Sequence, residues 1–130
     1  MEAILAVNKL GAIGLNGSLP WRCSADLKHF KKLTNGKTLL VGRKTFESLP
    51  KLPNRKVIVV GKGFHTLEDA LKMDIDFIIG GANIYKQTLS LCDVIHVSLI
   101  NDLTDGDTYF SIPDLLMKKC IYYEFETNKL

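Results

Sequence analysis

The stretch TLLVGRKTFESL, from Thr38 to Leu49, is the part of the sequence from which the fold is predicted. Its first part, Thr38 to Gly42, is an almost continuous apolar run, which is typical of a strand buried on both faces of a sheet. Residues Lys44 to Leu49 then follow a helical pattern. Neighbouring parallel strands need a crossover connection, which is usually a helix. The stretch therefore predicts one strand–turn–helix unit of an α/β protein.

The same arrangement recurs along the chain. Further apolar runs occupy Ala3 to Val7, Lys56 to Gly61 and Asp76 to Gly81, and further helices are predicted at Ser24 to Asn35, Leu67 to Met73 and Asn83 to Leu91. Helices between buried strands predict an α/β fold, a three-layer sandwich around a mostly parallel sheet. Two late strands, Asp93 to Ile100 and Ile121 to Thr127, have no helix between them, so the sheet is predicted to end in an antiparallel C-terminal strand.

Length and composition restrict the class of protein. The 130 residues, 46% hydrophobic and 24% charged, predict a single domain over residues 1–130. The opening run Met1 to Gly14 is too short to span a membrane and lacks the features of a signal peptide, which predicts a cytoplasmic protein with no membrane partner. A net charge of +3 from dispersed residues indicates small anionic ligands rather than nucleic acid. Cys23, Cys92 and Cys120 match neither a redox pair nor a zinc ligand set, so reduced thiols and no metal are expected.

Two glycine-containing turns are candidate ligand sites. In one, a strand ends at Gly42 and Arg43, Lys44 and Thr45 follow; in the other, a strand ends at Gly80–Gly81 before a helix. Ligands of parallel sheets bind beyond the C-terminal ends of the strands, where such turns lie. Each turn by itself could be a simple corner with a capped helix. Two at equivalent ends of neighbouring strands favour a dinucleotide, although neither matches GxGxxG.

Asp26 is the candidate acid of the site. A helix beginning at Ser24 places it on the apolar face with Phe30 and Leu33. A carboxylate on such a face costs free energy unless something pairs with it, and burial is expected to raise its pKa. The alternative is an ordinary acid in a first helical turn, which the helix dipole favours.

The motifs together resemble the dihydrofolate reductase family. The matching segments are AVNKLGAIGLNGSLPW, ADLKHFKKLT, VGRKTFESL, LPNRKVIVV, IIGGANIY and GDTYF, in the family's order and over most of Ala3 to Phe110. The resemblance implies NADPH-dependent reduction of 7,8-dihydrofolate to tetrahydrofolate. It also implies an antifolate target and a role in one-carbon metabolism.

The resemblance also implies a substrate side. Asp26 would accept hydrogen bonds from the pterin, with Ser98 bridging the two. Leu19 and Trp21 of the LPW motif join them in the catalytic set. Backbone carbonyls of Ile4 and Ile79 would be acceptors at the rim, and Ala6 would touch both ligands. Apolar walls would come from Leu27, Phe30, Leu49 and Leu52, residues that would equally suit an ordinary core. Arg55 would clamp the carboxylate of the glutamate tail, the alternative being a solvated loop arginine.

A cofactor side follows in the same way. Ala6, Ile13 and Gly14 would line the nicotinamide, beneath a mobile loop from Leu15 to Leu19. The phosphates would meet Arg43, Lys44 and Thr45. The other cofactor candidates are Gly42, Gly61, Lys62, Gly80, Gly81, Ala82, Asn83, Ile84 and Tyr85.

The chain departs from the family pattern in two places. It is shorter between Gly61 and Thr66, where Lys62 is a candidate replacement for phosphate ligands, and after Ile112, which leaves room for one strand after Pro113. Asn83 stands where many relatives have an arginine, and Asp107 is expected to meet the closing loop.

A monomer that binds dihydrofolate and antifolate inhibitors is predicted. Two alternatives stay open: a pyrimidine reductase of riboflavin synthesis, and a protein that binds nucleotide or pterin without catalysis.

Overall fold

The computed structural model describes residues 1–14 and 21–128 of the chain. The strands are β1 Glu2–Asn8, β2 Ala12–Gly14, β3 Thr38–Gly42, β4 Lys56–Val60, β5 Phe77–Ile78, β6 Val94–Asn101, β7 Thr108–Tyr109 and β8 Cys120–Glu126. The α-helices are α1 Ser24–Thr34, α2 Arg43–Ser48, α3 Leu67–Leu71 and α4 Ala82–Thr88, and 3₁₀ helices cover Leu89–Leu91 and Asp114–Lys119. Six strands form one sheet in the order β4-β3-β5-β1-β6-β8, and every neighbouring pair in it is parallel.

The predicted α/β class and mostly parallel sheet are confirmed. The predicted helices exist with ends shifted by one or two residues, except that the helix expected to reach Leu91 changes to 3₁₀ geometry after Thr88. The strand expected over Asp76 to Gly81 is regular only at Phe77–Ile78. One strand follows Pro113 within the described residues, as the sequence predicted.

The predicted antiparallel C-terminal strand is wrong. β8 pairs with β6 in parallel, from Ile95 opposite Cys120 to Asn101 opposite Glu126. The chain leaves the far end of β6 and returns through the 3₁₀ helix Asp114–Lys119, so β8 begins beside the beginning of β6. The antiparallel pairing lies elsewhere, between β2 and β7. These strands have three and two residues, too few to show an alternating pattern in the sequence.

Side chains on the strands alternate between two apolar clusters, one on each face of the sheet. Ile4, Leu39 and Phe77 pack with Phe30 and Leu33 of α1. The adjacent residues of the same strands, among them Leu5, Leu40 and Ile78, pack on the opposite face with α3, α4 and the 3₁₀ helix after α4. This is the three-layer arrangement, and burial on both faces explains why the strands read as continuous apolar runs.

Asn8 organises the chain after β1. Its buried amide oxygen accepts from the N–H groups of Leu10 and Ala12 at 3.0 and 2.9 Å. Its amide nitrogen donates to Asp102 Oδ2 at 3.1 Å and to the Thr104 carbonyl at 2.7 Å. All four hydrogen-bonding positions of the side chain are therefore used, which fixes the start of β2 beside the end of β6.

No helix in residues 1–14 and 21–128 is long and apolar enough to cross a membrane. Cys23, Cys92 and Cys120 are free thiols.

Candidate active site

A cavity of about 860 Å³ lies beside the ends of β1, β3 and β5, between α1 and the two glycine turns. This volume is in the range of small-molecule sites. Most of the predicted site residues line it: Ile4, Ala6, Ile13, Trp21, Asp26, Leu27, Phe30, Gly42, Arg43, Lys44, Thr45, Leu49, Leu52, Ile79, Gly80, Gly81, Ala82, Asn83, Ile84 and Tyr85. The fold thus gathers the substrate-side and cofactor-side candidates around one cleft.

Asp26 lies in the first turn of α1, half-buried, with its carboxylate accepting a hydrogen bond from the Ser98 hydroxyl. Ser98 is itself buried on β6, in register with Ala6 of β1. Burial raises the pKa of Asp26 above its ordinary value, and the Ser98 bond and the charge of His29 oppose that change with smaller effects. The predicted direction is confirmed. The carboxyl is therefore easier to protonate than one in water.

Tyr85 supports the opposite wall of the cavity. Its hydroxyl donates to the backbone carbonyl of Ile4 at 2.5 Å, from a buried ring on α4. Burial, with a smaller contribution from the charge of Asp26, raises the pKa of Tyr85 far above the usual range, so the phenol stays a neutral donor. A carbonyl oxygen has two lone pairs, so the Ile4 carbonyl can accept one further hydrogen bond from a ligand.

Trp21 lines the cavity and has a buried indole donor. The side chain is 7% exposed, and its Nε1–H is buried without a hydrogen-bond partner among the described residues. A buried donor left unpaired costs about 1–3 kcal/mol. A hydrogen-bond acceptor that came within reach of the indole would remove this cost.

The two glycine turns contact each other. The Gly42 N–H donates to the Gly80 carbonyl at 2.8 Å, and the peptide between Gly80 and Gly81 is cis. A Cβ atom built on Gly81 would lie 2.8 Å from Thr45 Oγ1, closer than side chains tolerate. A side chain at position 81 would therefore force the Thr45 hydroxyl to shift.

Arg43 and Lys44 give the predicted cofactor side its charge. Both side chains are exposed at the start of α2. Arg43 Nη1 lies 3.9 Å from Glu47 Oε1, an exposed i,i+4 contact of the kind that contributes less than about 1 kcal/mol. Both cations are therefore available to an anionic ligand. Among the described residues, no group of three or more His, Cys, Asp or Glu could hold a metal ion.

Arg55 does not line the cavity, but it is not a solvated loop arginine either. Nε donates to Thr34 Oγ1 at 3.1 Å, Nη1 to the Pro53 carbonyl at 2.6 Å and Nη2 to the Lys31 carbonyl at 2.5 Å. These three bonds fix the plane of the guanidinium and leave one N–H on each terminal nitrogen. Such a pair of donors matches the two oxygens of a carboxylate.

Some predicted cofactor residues lie outside the cavity lining. Gly61 and Lys62 belong to a turn that folds back on β4, with the His65 N–H donating to the Val59 carbonyl at 3.1 Å. Gly14 pairs with Thr108 between β2 and β7 and is also outside the lining. The predicted loop residues Leu15 and Leu19 lie outside the described residues.

Several lining residues were not predicted: Leu5, Arg22, Cys23, Ser48, Pro50, Val60 and Thr108. Arg22 and Cys23 could have been found from their position between Trp21 and α1. Thr108 could not, because it reaches the cavity through the two-residue strand β7. Asp107, expected to meet the closing loop, does lie at the cavity.

Comparison with known proteins agrees with this geometry. The family model of dihydrofolate reductase matches residues 1–121. Dihydrofolate reductase type 1 of Escherichia coli is 37% identical over 126 residues, covering 85% of this chain and 80% of that protein. The type 6 enzyme of Proteus mirabilis is 35% identical, covering 98% of this chain and 92% of that protein. A solved structure of dihydrofolate reductase from Enterococcus faecalis, complexed with NADP(H) and RAB-propyl, has a TM-score of 0.79 at 35% identity and covers 87% of this chain and 77% of that one.

Proposed function

Because the chain belongs to the dihydrofolate reductase family, we propose that it catalyses the NADPH-dependent reduction of 7,8-dihydrofolate to 5,6,7,8-tetrahydrofolate. One observation carries the proposal. The half-buried Asp26 carboxyl, hydrogen-bonded to Ser98, shares a single cavity with the Gly42 and Gly80–Gly81 turns and their cations. A buried acid at one end and a phosphate-compatible surface at the other suit a pterin beside a dinucleotide.

The substrate end of the cavity holds the pterin. Asp26 accepts hydrogen bonds from the pterin amino group and ring nitrogen, with Ser98 beside it and the carbonyls of Ile4 and Ile79 at the rim. Leu27 is 43% exposed although it faces the cavity, as expected for an apolar side chain that a ligand covers. Phe30, Leu49 and Leu52 complete the apolar wall.

The cofactor end fits NADPH. Arg43 and Lys44 pair with its phosphates, Thr45 donates from its hydroxyl, and the glycine turns allow the backbone to approach closely. Ala6 and Ile13 line the nicotinamide position, and Trp21 lies in the same cavity. When bound, NADPH supplies a hydride to C6 of the pterin.

Protonation of N5 completes the reduction. Asp26 orients the pterin and, with its raised pKa, favours the protonated substrate, while water delivers the proton. The larger part of the rate enhancement comes from holding the nicotinamide and pterin rings at reacting distance in a cleft that excludes most water. The finer predictions are a monomer, a cytoplasmic location and antifolates that compete for the pterin position.

The direct test is NADPH consumption. Purified protein should oxidise NADPH, followed at 340 nm, only after dihydrofolate is added. No oxidation with dihydrofolate, together with measurable NADPH binding, would instead indicate a protein that binds ligands without catalysis.

A second test uses Arg55 to identify the glutamate tail. Arg55→Ala should weaken dihydrofolate binding by about 10-fold to 100-fold, since a charged hydrogen-bonded pair contributes about 1.5–3 kcal/mol. A dihydropterin without the tail should be reduced slowly and equally by both proteins, and NADPH affinity should not change. The measurement is kcat/KM for both substrates in both proteins. Equal impairment of both substrates would make Arg55 purely structural, which its bonds to Thr34, Pro53 and Lys31 would explain.

A further inference from the structure

Helix α1, which carries Asp26, does not cap its own N-terminus. Cys23 occupies the N-cap position and makes no capping hydrogen bond with its side chain. The first N–H groups of a helix need outside partners. Here the Ser24 N–H donates to Asn128 Oδ1 at 2.9 Å, and Asn128 Nδ2 donates to Ser24 Oγ at 3.0 Å. The cap comes from a residue 104 positions away in sequence.

Two more bonds join the same segments. The Asn128 N–H donates to the Arg22 carbonyl at 2.9 Å, and Cys23 Sγ donates to the Glu126 carbonyl at 3.2 Å. We call this set the C-terminal clasp: Glu126 and Asn128 bonded to Arg22, Cys23 and Ser24. Arg22 and Cys23 line the active-site cavity, so the clasp holds part of the cavity wall.

Helix α1 is held to the same strand a second time. The His29 ring lies on Tyr123 with a centroid separation of 4.1 Å and near Phe125 at 5.4 Å. Asp26 lies in the helix between these two attachments, at Ser24 and at His29. The position of the Asp26 carboxyl relative to Ser98 therefore depends on how α1 sits against β8.

We propose that Asn128 is a positioning residue for Asp26 and acts through the first turn of α1. The inference deepens the proposed function, because it names a residue that sets the position of the acid. Asn128→Ala removes the two side-chain bonds to Ser24, which lie at the protein surface, so the first turn of α1 is held less firmly and the half-buried Asp26 carboxyl moves towards solvent. Burial is the main cause of the raised pKa of Asp26, so greater exposure of the carboxyl to water lowers that pKa.

Other charges at the site stay the same in this test. The titratable or charged groups that share the cavity or a charge interaction with Asp26 are His29 on α1, Tyr85 on α4, Arg22 and Cys23 before α1, Arg43 and Lys44 on α2, and Asp107 before β7. Asn128→Ala alters none of them. A change in the titration of Asp26 would therefore come from its position and not from a new charge.

The experiment compares the wild-type chain with Asn128→Ala. The Asp26 carboxyl carbon is titrated by NMR, Trp21 emission is recorded, and kcat and KM for dihydrofolate are measured against pH. We expect a lower Asp26 pKa than in the wild type, altered Trp21 emission and a kcat reduced by about 10-fold to 100-fold, since small misplacements of reacting groups have effects of that size. NADPH affinity should change less than twofold.

Thr66→Ala is the matched control. Thr66 caps α3, its hydroxyl accepting from the Asp69 N–H at 3.1 Å, and neither residue lines the cavity. This variant removes a helix cap of the same kind without touching the clasp, so the Asp26 titration and the Trp21 emission should match those of the wild type. Asn128→Asp keeps an acceptor for the Ser24 N–H and should restore most of kcat.

The outcomes separate the two proposals. An unchanged Asp26 pKa in Asn128→Ala, or an equal change in Thr66→Ala, overturns the positioning role whatever the activity. If the wild type does not reduce dihydrofolate, the proposed function fails while the NMR titration still decides the role of Asn128. If Asn128→Ala does not fold, Asn128→Ser, which keeps a shorter polar side chain, is titrated in its place with the same expected direction.

Discussion

At the scale of single residues, the proposed chemistry centres on Asp26. Asp26→Asn keeps the shape and removes the charge, so it cannot favour the protonated pterin. We expect kcat at neutral pH to fall by about 100-fold or more, the usual size of acid–base contributions, and to recover partly as pH falls and substrate arrives protonated. The measurement is kcat against pH for both proteins. Wild-type turnover in the variant at pH 7 would remove Asp26 from the mechanism.

Asp26→Asn lowers activity, but it should raise the stability of the folded protein at neutral pH. Because the folded pKa of Asp26 lies above its ordinary value of 3.8, the folded state binds more protons than the unfolded state between those two values. The contribution of Asp26 to the free energy of unfolding is therefore fully present only below this pH window. It is lost as pH rises through the window. Asp26→Asn does not titrate, so it should be the more stable protein at pH 7, with the difference shrinking towards pH 3.8. Urea unfolding of both proteins at several pH values checks this, and a difference independent of pH would contradict it.

At the scale of elements, the turn from β3 to α2 and the turn from β5 to α4 act as one unit. Gly81→Ala places a methyl group 2.8 Å from the original position of Thr45 Oγ1, so Thr45 must move. We expect NADPH affinity to fall by about 10-fold, as for the loss of one hydrogen bond to a charged group, with dihydrofolate affinity unchanged. In a Thr45→Ala background the hydroxyl is already absent, so adding Gly81→Ala should lower NADPH affinity little further. Additive effects of the two substitutions would show that the turns are not coupled.

At the scale of the whole molecule, the proposed NADPH site spans several elements, so the bound cofactor should stabilise them together. NADPH at 100 times its dissociation constant should add about 2.7 kcal/mol, which raises Tm by roughly 10 °C for a chain of this size. NADH, which lacks the 2′-phosphate, should give a smaller increase at equal concentration. Arg43→Ala should reduce the NADPH increase and leave that of NADH almost unchanged. If Arg43→Ala keeps the full preference for NADPH over NADH, the 2′-phosphate is bound elsewhere, and Lys62 is the first residue to replace.

The sequence by itself determined the α/β class, the glycine turns and the place of Asp26. Apolar runs and helical periodicity indicate which faces of an element are buried. They can be read from the sequence without knowing which elements pack against those faces. Motifs such as GRKTFES and IGGANIY also stand within single strand–turn–helix units, so their residues reach the cavity together.

Only the tertiary structure decided which distant segments meet. The direction of β8, the pairing of β2 with β7 and the cap that Asn128 gives to α1 join segments far apart in the chain. Each depends on hydrogen bonds between segments that are distant in the sequence, and none leaves a periodic pattern in the sequence. Arg55 is a similar case: its motif indicated a carboxylate clamp, but its orientation depends on three acceptors around it, on Lys31, Thr34 and Pro53. Local periodicity therefore predicts elements and their buried faces, whereas contacts between those elements arise from packing in three dimensions.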